Sequence, residues 1–293
     1  MTPDAPDLPH AADASRAAWP RIAVFGAGAV GCFHGARFAE AGAPVTLIGR
    51  PAHVEAIRAR GLLFETADGS RRLPIAATTD AAAVADAGLV LLCVKTRDTA
   101  SAAATLAPLL KPDAVVVSLQ NGVENVPLIR RAGLDPLAAV VYVAVSMPAP
   151  GHLRYAGLGN LVLGEFGPPP PGAARAPDRA RRIAALFERA GVPCPVCDDV
   201  RVDLWTKLVM NCVMNPVSAL ARSRYGRMFD DAPTRTLMRS VVEECVAVAR
   251  ADGVALPAPA RLYEDLLRLG EAMRAASSST AQDLAAGRPT EID

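Results

Sequence analysis

The sequence has little net charge and no long apolar run. Its 293 residues carry a formal net charge of +1, whereas a protein that binds nucleic acid or a membrane surface needs a basic excess. No apolar run is long enough, and free enough of charge and glycine, to span a bilayer. We therefore expect neither a nucleic-acid nor a membrane partner. With 51% hydrophobic and 21% charged residues, the chain has the composition of a globular protein, and its length suits two domains.

The first 20 residues lack the basic start and the apolar stretch of a secretory signal. They are rich in Ala, Asp and Pro, and their acidic residues argue against an organelle transit peptide. We predict that residues 1–20 form a disordered tail. The predicted location is the cytoplasm, which also suits six reduced cysteines, most of them in apolar runs.

Two of the cysteines, Cys194 and Cys197, have the spacing of a redox or metal-binding pair. No second pair and no nearby histidine accompanies them, and a structural zinc site needs four ligands. The pattern therefore favours a short strand, with a redox or metal role as the alternative. We predict no metal site.

Strand and helix patterns alternate along residues 21–198. Asp68-Gly69 indicates a hairpin, and continuous apolar strands suit a parallel sheet that is covered on both faces. The pattern predicts a doubly wound, mostly parallel α/β domain over residues 21–198. Residues 199–293 show helical patterns only and predict an all-α second domain. Predicted strands cover residues 21–25, 44–48, 89–94, 114–119, 140–146, 160–164 and 194–197, and predicted helices cover residues 30–41, 53–60 and 180–190.

A glycine-rich motif of the form G-x-G-x-x-G follows the first predicted strand and opens the first predicted helix. In that context the first glycine permits a tight turn, the second lets a pyrophosphate approach the backbone, and the third lets helix and strand pack closely. The helix N-terminus then offers unpaired N–H groups to the phosphates. The alternative is a glycine turn without a ligand. The predicted cofactor-binding residues of this loop are Gly26, Ala27, Gly28, Ala29, Val30 and Gly31.

The second predicted strand lacks the acidic residue that usually holds the ribose hydroxyls of NAD. It ends instead at Ile48-Gly49-Arg50. An arginine cannot accept those hydroxyl hydrogens but pairs well with a 2′-phosphate, so the sequence predicts NADP rather than NAD. A solvated surface arginine is the alternative, and spacing alone does not decide whether Arg58 or Arg60 assists.

The most informative segment is an apolar helix with one polar stripe, at residues 204–218. On a helical wheel, Lys207, Asn211, Asn215 and Ser218 fall within roughly 80°. A helix that is apolar on nearly every other side is normally buried, and a buried polar stripe needs partners. Those partners are either a polar ligand or an internally satisfied network. Lys207 is the obvious acid for the reduction of a ketone, since the alkoxide that forms needs a proton and electrostatic support.

These features together resemble the ketopantoate reductase family. The residues that carry the resemblance are the glycine loop, Asn121 in Leu119-Gln120-Asn121-Gly122, the lysine–asparagine helix, and the segment from Ser279 to Glu291. The resemblance covers residues 21–293. It implies an N-terminal Rossmann domain, an all-helical C-terminal domain, and the NADPH-dependent reduction of ketopantoate to (R)-pantoate on the path to pantothenate and coenzyme A. A small 2-keto acid is the implied substrate, and a monomer or homodimer the implied assembly.

The resemblance also implies roles for residues of the second domain. Lys207 corresponds to the general acid that protonates the ketone oxygen. Glu291 corresponds to the acid that holds the substrate hydroxyl and helps to orient the lysine. Ser279 corresponds to the group that binds the substrate carboxylate, and Asn211 and Asn215 correspond to ligands of the substrate hydroxyl.

Two residues of the first domain receive roles from the same resemblance. Asn121 corresponds to a residue where nicotinamide meets substrate. Lys95 corresponds to a lysine that contacts the cofactor, with a plain surface lysine as an equal alternative. The family pattern continues past Thr-Glu-Ile-Asp, so the helical domain is expected to be truncated at Asp293. Two other functions stay open: a paralogous reductase of another branched 2-keto acid, and a non-catalytic NADP-binding protein.

Overall fold

Short runs of β-branched and aliphatic residues form most of the strands in the computed structural model, which describes residues 18–172 and 178–291. The predicted disordered tail lies outside the described residues up to residue 17. Its last residues are ordered, because Trp19 packs edge-on against Phe38 and donates its indole N–H to the Ala41 carbonyl. The strands are β1 Ile22–Phe25, β2 Val45–Ile48, β3 Leu62–Thr66, β4 Gly69–Leu73, β5 Ala76–Thr78, β6 Leu89–Leu92, β7 Val115–Ser118, β8 Leu137–Ala149, β9 His152–Gly164 and β10 Val196–Cys197.

Helices separate the strands in the first part of the chain and replace them in the second. From Val200 to residue 291 the described chain contains helices and no strand. The helices are α1 Ala29–Glu40, α2 Pro51–Arg60, α3 Thr99–Leu106, α4 Asn125–Arg131, α5 Arg179–Arg189, α6 Arg201–Leu220, α7 Tyr225–Asp230, α8 Ala232–Ala251, α9 Pro259–Ala272 and α10 Ser279–Ala285.

The described strands form one sheet, in the order β4-β3-β9-β8-β7-β6-β1-β2-β5, with β10 paired to β9. The run β5-β2-β1-β6-β7-β8 is parallel throughout and has the strand order of a Rossmann domain. The predicted doubly wound α/β domain and all-α second part are therefore confirmed as the fold class. The boundary after residue 198 stays a prediction.

The sheet is larger than predicted, because two strands were placed too short. The segments predicted at residues 140–146 and 160–164 are parts of β8 and β9, which have 13 residues each and pair antiparallel. Pairing of β3 with both β4 and β9 extends the sheet further. The sequence hides β9 because Gly157, Leu158 and Gly159 interrupt its alternation. All three have positive φ angles, and the register between β8 and β9 shifts around them.

The sheet brings three loops together at one edge. Because β1, β6 and β7 are parallel and in register, Phe25, Leu92 and Ser118 lie side by side at their carboxyl ends. The glycine loop, the segment leading to Lys95 and the segment leading to Asn121 therefore begin at neighbouring positions. Open α/β sheets bind ligands at this edge.

Helix α6 joins the sheet to the helical part. Near its start, Val200 and Leu204 are buried against Val126, Ala138 and Val140 of the first part. Further along, Val209 and Val213 belong to the core formed with α7, α8 and α9. The polar side chains of α6 therefore lie beside the sheet edge. None of the helices in residues 18–172 and 178–291 combines the length and the apolar character needed to cross a lipid bilayer.

Helix α1 contains a buried histidine without a polar partner. His34 is fully buried between the rings of Phe33 and Phe187, and neither ring nitrogen has a hydrogen-bond partner among the described residues. Burial lowers the pKa of His34 from 6.5 to about 3. The neutral form therefore persists in the folded protein at pH values where the unfolded chain takes up a proton.

We expect His34→Leu to stabilise the fold by about 1–2 kcal/mol at pH 7.5, since it removes two unpaired polar atoms from the core. The gain should increase as the pH falls below 6.5. There the unfolded wild-type chain binds a proton that the native state does not, which destabilises the wild type by up to about 1.4 kcal/mol per pH unit. Thermal unfolding of both proteins between pH 8 and 5 measures this. A difference that does not change with pH would contradict the assignment of a neutral, unpartnered imidazole.

Candidate active site

The glycine loop contains two glycines required for packing and one that faces open space. A Cβ on Gly26, which has φ +117°, would lie 2.6 Å from the carbonyl carbon of Cys93, and one on Gly31 would lie 2.1 Å from the Gly26 oxygen. A Cβ on Gly28 would meet nothing within 4 Å. Gly26 and Gly31 are therefore explained by the fold alone. Gly28 has no such packing constraint, so its backbone is open to the approach of a ligand.

Helix α1 begins at Ala29, with Gly28 as its N-cap and no side chain capping it. The N–H groups of Ala29, Val30 and Gly31 lie in the first turn, where a helix offers no acceptor of its own. Together with the open side of Gly28, these donors fit the pyrophosphate of a dinucleotide. The loop, including Ala27, thus has the geometry that the motif predicts.

Arg50 lies at the second position expected for a dinucleotide. It is the exposed N-cap residue of α2, directly after β2, and its side chain makes no ion pair or hydrogen bond within the described residues. The preceding Gly49 lies so close to the glycine loop that a Cβ there would be 2.6 Å from the Cβ of Ala27. Arg50 therefore offers an unpaired guanidinium beside the loop.

The two other candidate arginines are placed differently. Arg58 donates its Nε to the Ala77 carbonyl at 2.7 Å, so part of its guanidinium serves the structure. Arg60 is the last residue of α2, about 15 Å along the helix axis from Arg50. Neither shares the position of Arg50 next to the glycine loop.

Lys207 extends from α6 to two acceptors of the sheet domain. Its Nζ donates to Oδ1 of Asn121 at 2.9 Å and to the carbonyl of Val141 at 2.5 Å, and it lies 5.5 Å from the ring centre of Tyr142. An ammonium has three N–H donors, so one remains for a ligand. The structure thus brings together Lys207 and Asn121, which are 86 residues apart.

The surroundings of Lys207 weaken its hold on the proton. Burial lowers its pKa from 10.5 to about 8, while the negative charge of Glu291 acts in the opposite direction. A lysine with this pKa is largely protonated at neutral pH and releases its proton more easily than a solvated lysine. That balance suits a general acid.

Asn211 and Asn215 continue the stripe at about 6 and 12 Å along the axis from Lys207. Both are partly buried, and neither side-chain amide makes a hydrogen bond within the described residues. They are therefore available to a ligand. Ser218 differs from the prediction, because its buried hydroxyl donates to the Ser223 carbonyl and accepts from the Ser278 amide. The stripe thus has three open members and one internally satisfied member.

The two serines at the start of α10 differ in role: one caps the helix and the other has an exposed side chain. Ser278 is the N-cap, and its buried hydroxyl accepts from the amide of Ala281 at 3.0 Å. Ser279, the predicted carboxylate ligand, is the exposed first residue of the helix, and its side chain has no partner within the described residues. Its hydroxyl is free to meet an anion.

Glu291 contacts the sheet domain rather than Lys207. Its carboxylate accepts from the backbone N–H of Thr96 at 3.4 Å and lies 3.9 Å from the Nζ of Lys95. Lys95 is paired more closely with Asp283 of α10, at 2.9 Å. The structure therefore shows Glu291 acting on Lys207 through its charge, without the direct contact that an orienting role implies. It also shows Lys95 engaged by two acids of the helical part.

Sequence reasoning missed three partners of the site lysines. The carbonyl of Val141 has no sequence signal, since every residue has one. Tyr142 lay within a predicted strand, where an aromatic residue is ordinary. Asp283 lies within the segment from Ser279 to Glu291 that carries the resemblance, but no role was predicted for it. The negative charge of Asp283 was the only sequence signal for its pairing with a lysine such as Lys95.

The cysteine pair shows no sign of a metal site. Cys194 is buried and Cys197 lies in β10, and burial raises the pKa of both thiols to about 12. Within the described residues no group of three or more His, Cys, Asp or Glu side chains could hold a metal ion. Both cysteines pack as parts of the fold.

A Rossmann-type sheet with a glycine loop, facing a helix that carries a partly buried lysine, defines a two-domain NAD(P)-dependent oxidoreductase. The sequence profile described as ketopantoate reductase PanE/ApbA matches residues 22–168, and the profile for the C-terminal part of the same family matches residues 199–293. The chain belongs to the ketopantoate reductase PanE/ApbA family. This confirms the resemblance and the expectation of an oxidoreductase that acts on CH–OH groups.

Similar proteins agree with this family. The 2-dehydropantoate 2-reductase of Mesorhizobium japonicum is 34% identical, over 93% of this chain and 88% of its own length. A PanE/ApbA family ketopantoate reductase from Ralstonia eutropha is 45% identical, with a TM-score of 0.84, 93% of this chain covered and 88% of that chain. D-mandelate dehydrogenase also has a TM-score of 0.84, with 93% and 88% of the two chains covered. At 20% identity it shares the fold alone.

The contrast between the loop glycines gives a direct test of the dinucleotide site. We expect Gly28→Ala to leave the melting temperature nearly unchanged and to weaken binding of NADPH by roughly tenfold or more, about 1.4 kcal/mol. We expect Gly31→Ala to lower the melting temperature by several degrees or to prevent folding, because its Cβ has no space. Thermal melting and NADPH fluorescence titration separate the two effects. Unchanged NADPH binding by Gly28→Ala would place the dinucleotide elsewhere.

Proposed function

We propose that this protein reduces ketopantoate to (R)-pantoate with NADPH. The observation that carries the proposal is Lys207, whose ammonium has two hydrogen bonds to the sheet domain and one donor left over. The unpartnered amides of Asn211 and Asn215 lie along the same face. Curated relatives named 2-dehydropantoate 2-reductase support this substrate.

The residues of the glycine loop fit the cofactor. The first-turn N–H groups of α1 would hold the pyrophosphate, and Arg50 would pair with the 2′-phosphate. Lys95 and Asn121, in the neighbouring loops after β6 and β7, would contact the nicotinamide end of the cofactor. When bound, the cofactor supplies a hydride to the ketone carbon.

Lys207 supplies the proton of the reaction. As the C–H bond forms at the ketone carbon, the C=O π bond breaks and its electron pair forms an O–H bond with a proton from Nζ. Asn121 and Val141 hold the ammonium in place before the transfer. The neutral amine that remains takes a proton from solvent. A pKa of about 8 lets Lys207 perform both steps near neutral pH.

The other predicted residues bind the substrate. Asn211 and Asn215 bind its hydroxyl group through their side-chain amides, and Ser279 offers a hydroxyl to its carboxylate at the start of α10. Glu291 holds the terminal hydroxyl and keeps Lys207 protonated through its charge. We extend the proposal to the path towards pantothenate and coenzyme A. The cytoplasmic location and the monomeric or homodimeric state stay predictions.

The cofactor preference depends on Arg50. We expect Arg50→Ala to raise KM for NADPH roughly tenfold to a hundredfold, as for loss of a charged hydrogen bond, and to leave KM for NADH unchanged. Arg60→Ala is the matched control, because it removes the same charge at the far end of α2. Steady-state kinetics with both cofactors measures the effect. Equal KM values for NADPH and NADH in the wild type would refute the preference for NADP.

The substrate is tested by following NADPH absorbance with ketopantoate and a panel of other 2-keto acids. We expect turnover with ketopantoate that declines as the pH rises through about 8, because the acid form of Lys207 is lost. Lys207→Ala should lower kcat by an amount that corresponds to the loss of about 2–4 kcal/mol of transition-state stabilisation. Its affinity for NADPH should not change.

Lys111→Ala is the control for Lys207→Ala, since Lys111 pairs with Asp86 on the surface, away from the site. Turnover only with another acid would show a paralogous reductase. NADPH binding without any turnover would favour a non-catalytic binding protein.

A further inference from the structure

Four buried polar side chains lie at the end of β7, in the loop that follows it, and at the first residues of α3 and α4. Ser118, Thr99, Gln120 and Asn125 are 3%, 0%, 7% and 2% exposed. Burial of so many polar groups is unfavourable unless each has a hydrogen-bond partner. All four have partners, and most of these partners are one another.

The hydrogen bonds of this chain all point away from Gln120, towards an acceptor carbonyl at each end. Gln120 donates both hydrogens of its amide, to the Val94 carbonyl at 2.9 Å and to the Thr99 hydroxyl at 2.6 Å. Thr99 donates its single hydrogen to Oδ1 of Asn125 at 2.8 Å, and Asn125 donates to the Asn121 carbonyl at 2.6 Å. Since Thr99 has one hydrogen to give, its bond to Asn125 fixes the order of the whole chain.

The two ends of this chain lie at the active site. Val94 precedes Lys95, and Asn121 accepts from Lys207 through its side chain. The chain therefore connects the loop after β6 with the loop after β7. Local capping of α3 or α4 would require bonds within one loop only. The bonds of Gln120 to Val94 and Thr99, and of Thr99 to Asn125, cross between the loops, and Asn125 in turn donates to the carbonyl of Asn121.

We propose that Thr99, Gln120 and Asn125 are positioning residues, which hold Asn121 where it accepts a hydrogen bond from Lys207. Their effect on catalysis rests on the proposed function, whereas their effect on the Lys207 ammonium does not. If the chain is broken, the short bond from Asn125 no longer anchors the Asn121 carbonyl, which keeps only the 3.5 Å bond from the Thr96 hydroxyl, so the Asn121 side chain turns away more easily and the ammonium loses one of its two acceptors. A partly buried ammonium with fewer acceptors gives up its proton at lower pH.

Thr99→Val breaks the chain with little change in shape. It leaves one Gln120 hydrogen and the Asn125 Oδ1 without a partner. Thr99→Ser restores the hydroxyl. Thr105→Val is the matched control, because Thr105 lies on the same helix and bonds only the carbonyl of Ser101, at 2.9 Å. Asn125→Leu removes the last link by a different route, which guards against misfolding of a single variant.

The first measurement is the acetylation rate of Lys207 between pH 6 and 10, followed by mass spectrometry with acetic anhydride. We expect a midpoint of about 8 in the wild type, and a midpoint lower by roughly one pH unit in Thr99→Val and Asn125→Leu. Thr99→Ser and Thr105→Val should match the wild type. Midpoints that agree with the wild type in both chain-breaking variants would overturn the proposal.

The second measurement is turnover of ketopantoate by the same variants. We expect kcat to fall roughly tenfold in Thr99→Val, with KM for ketopantoate within about twofold and recovery in Thr99→Ser. A lower melting temperature, with kcat and the midpoint of Lys207 acetylation both unchanged, would show that these residues have a structural role only. That result would contradict the proposal. A wild type that does not reduce ketopantoate would contradict the proposed function, while the acetylation midpoints would still decide the positioning role.

Discussion

The site depends on one contact between the two parts of the chain, the hydrogen bonds from Lys207 of α6 to Asn121 and Val141 of the sheet domain. An ammonium at such a place is stable only if acceptors replace the water it has lost. The acceptors come from the loop after β7 and from β8, so the sheet must be complete before Lys207 has partners. The same bonds leave a single donor free, which under the proposed function is the donor that a ketone oxygen would meet.

Opposing effects set the acidity of that lysine. Burial lowers its pKa, and the charge of Glu291 raises it, so that the value lies near 8 rather than near 10.5. Neither effect requires direct contact with Glu291, whose carboxylate lies beside Thr96 and Lys95. The position of the Lys207 ammonium and its pKa therefore depend on different parts of the chain. Hydrogen bonds to the sheet domain fix the position, and the charge of Glu291 near the end of the helical part raises the pKa.

Periodicity and spacing predicted the parts of this structure that depend on neighbouring residues. The glycine motif, the α/β alternation and the stripe of Lys207, Asn211 and Asn215 all follow local repeats. The parts that depend on distant pairing were missed. Strand β9 was shortened because its glycines conceal the alternation, and the Val141 carbonyl and the pairing of Lys95 with Asp283 carry no periodic signal. A side chain's type is visible in the sequence, but its partner across the fold is not.

Lys95 and Lys207 both link the sheet domain to the helical part, but they differ in how strongly they are held. Lys95 is 40% exposed and pairs with Asp283, which is 14% exposed, and ion pairs near solvent contribute little to stability. Lys207 makes two hydrogen bonds to the sheet domain, to Oδ1 of Asn121 and to the carbonyl of Val141. Under the proposed function, Lys95 is therefore the lysine whose acidic partner can be exchanged for a charged ligand at small energetic cost. Contact with the cofactor and donation of the proton would then be carried by two different lysines, which the sheet domain and the helical part hold side by side.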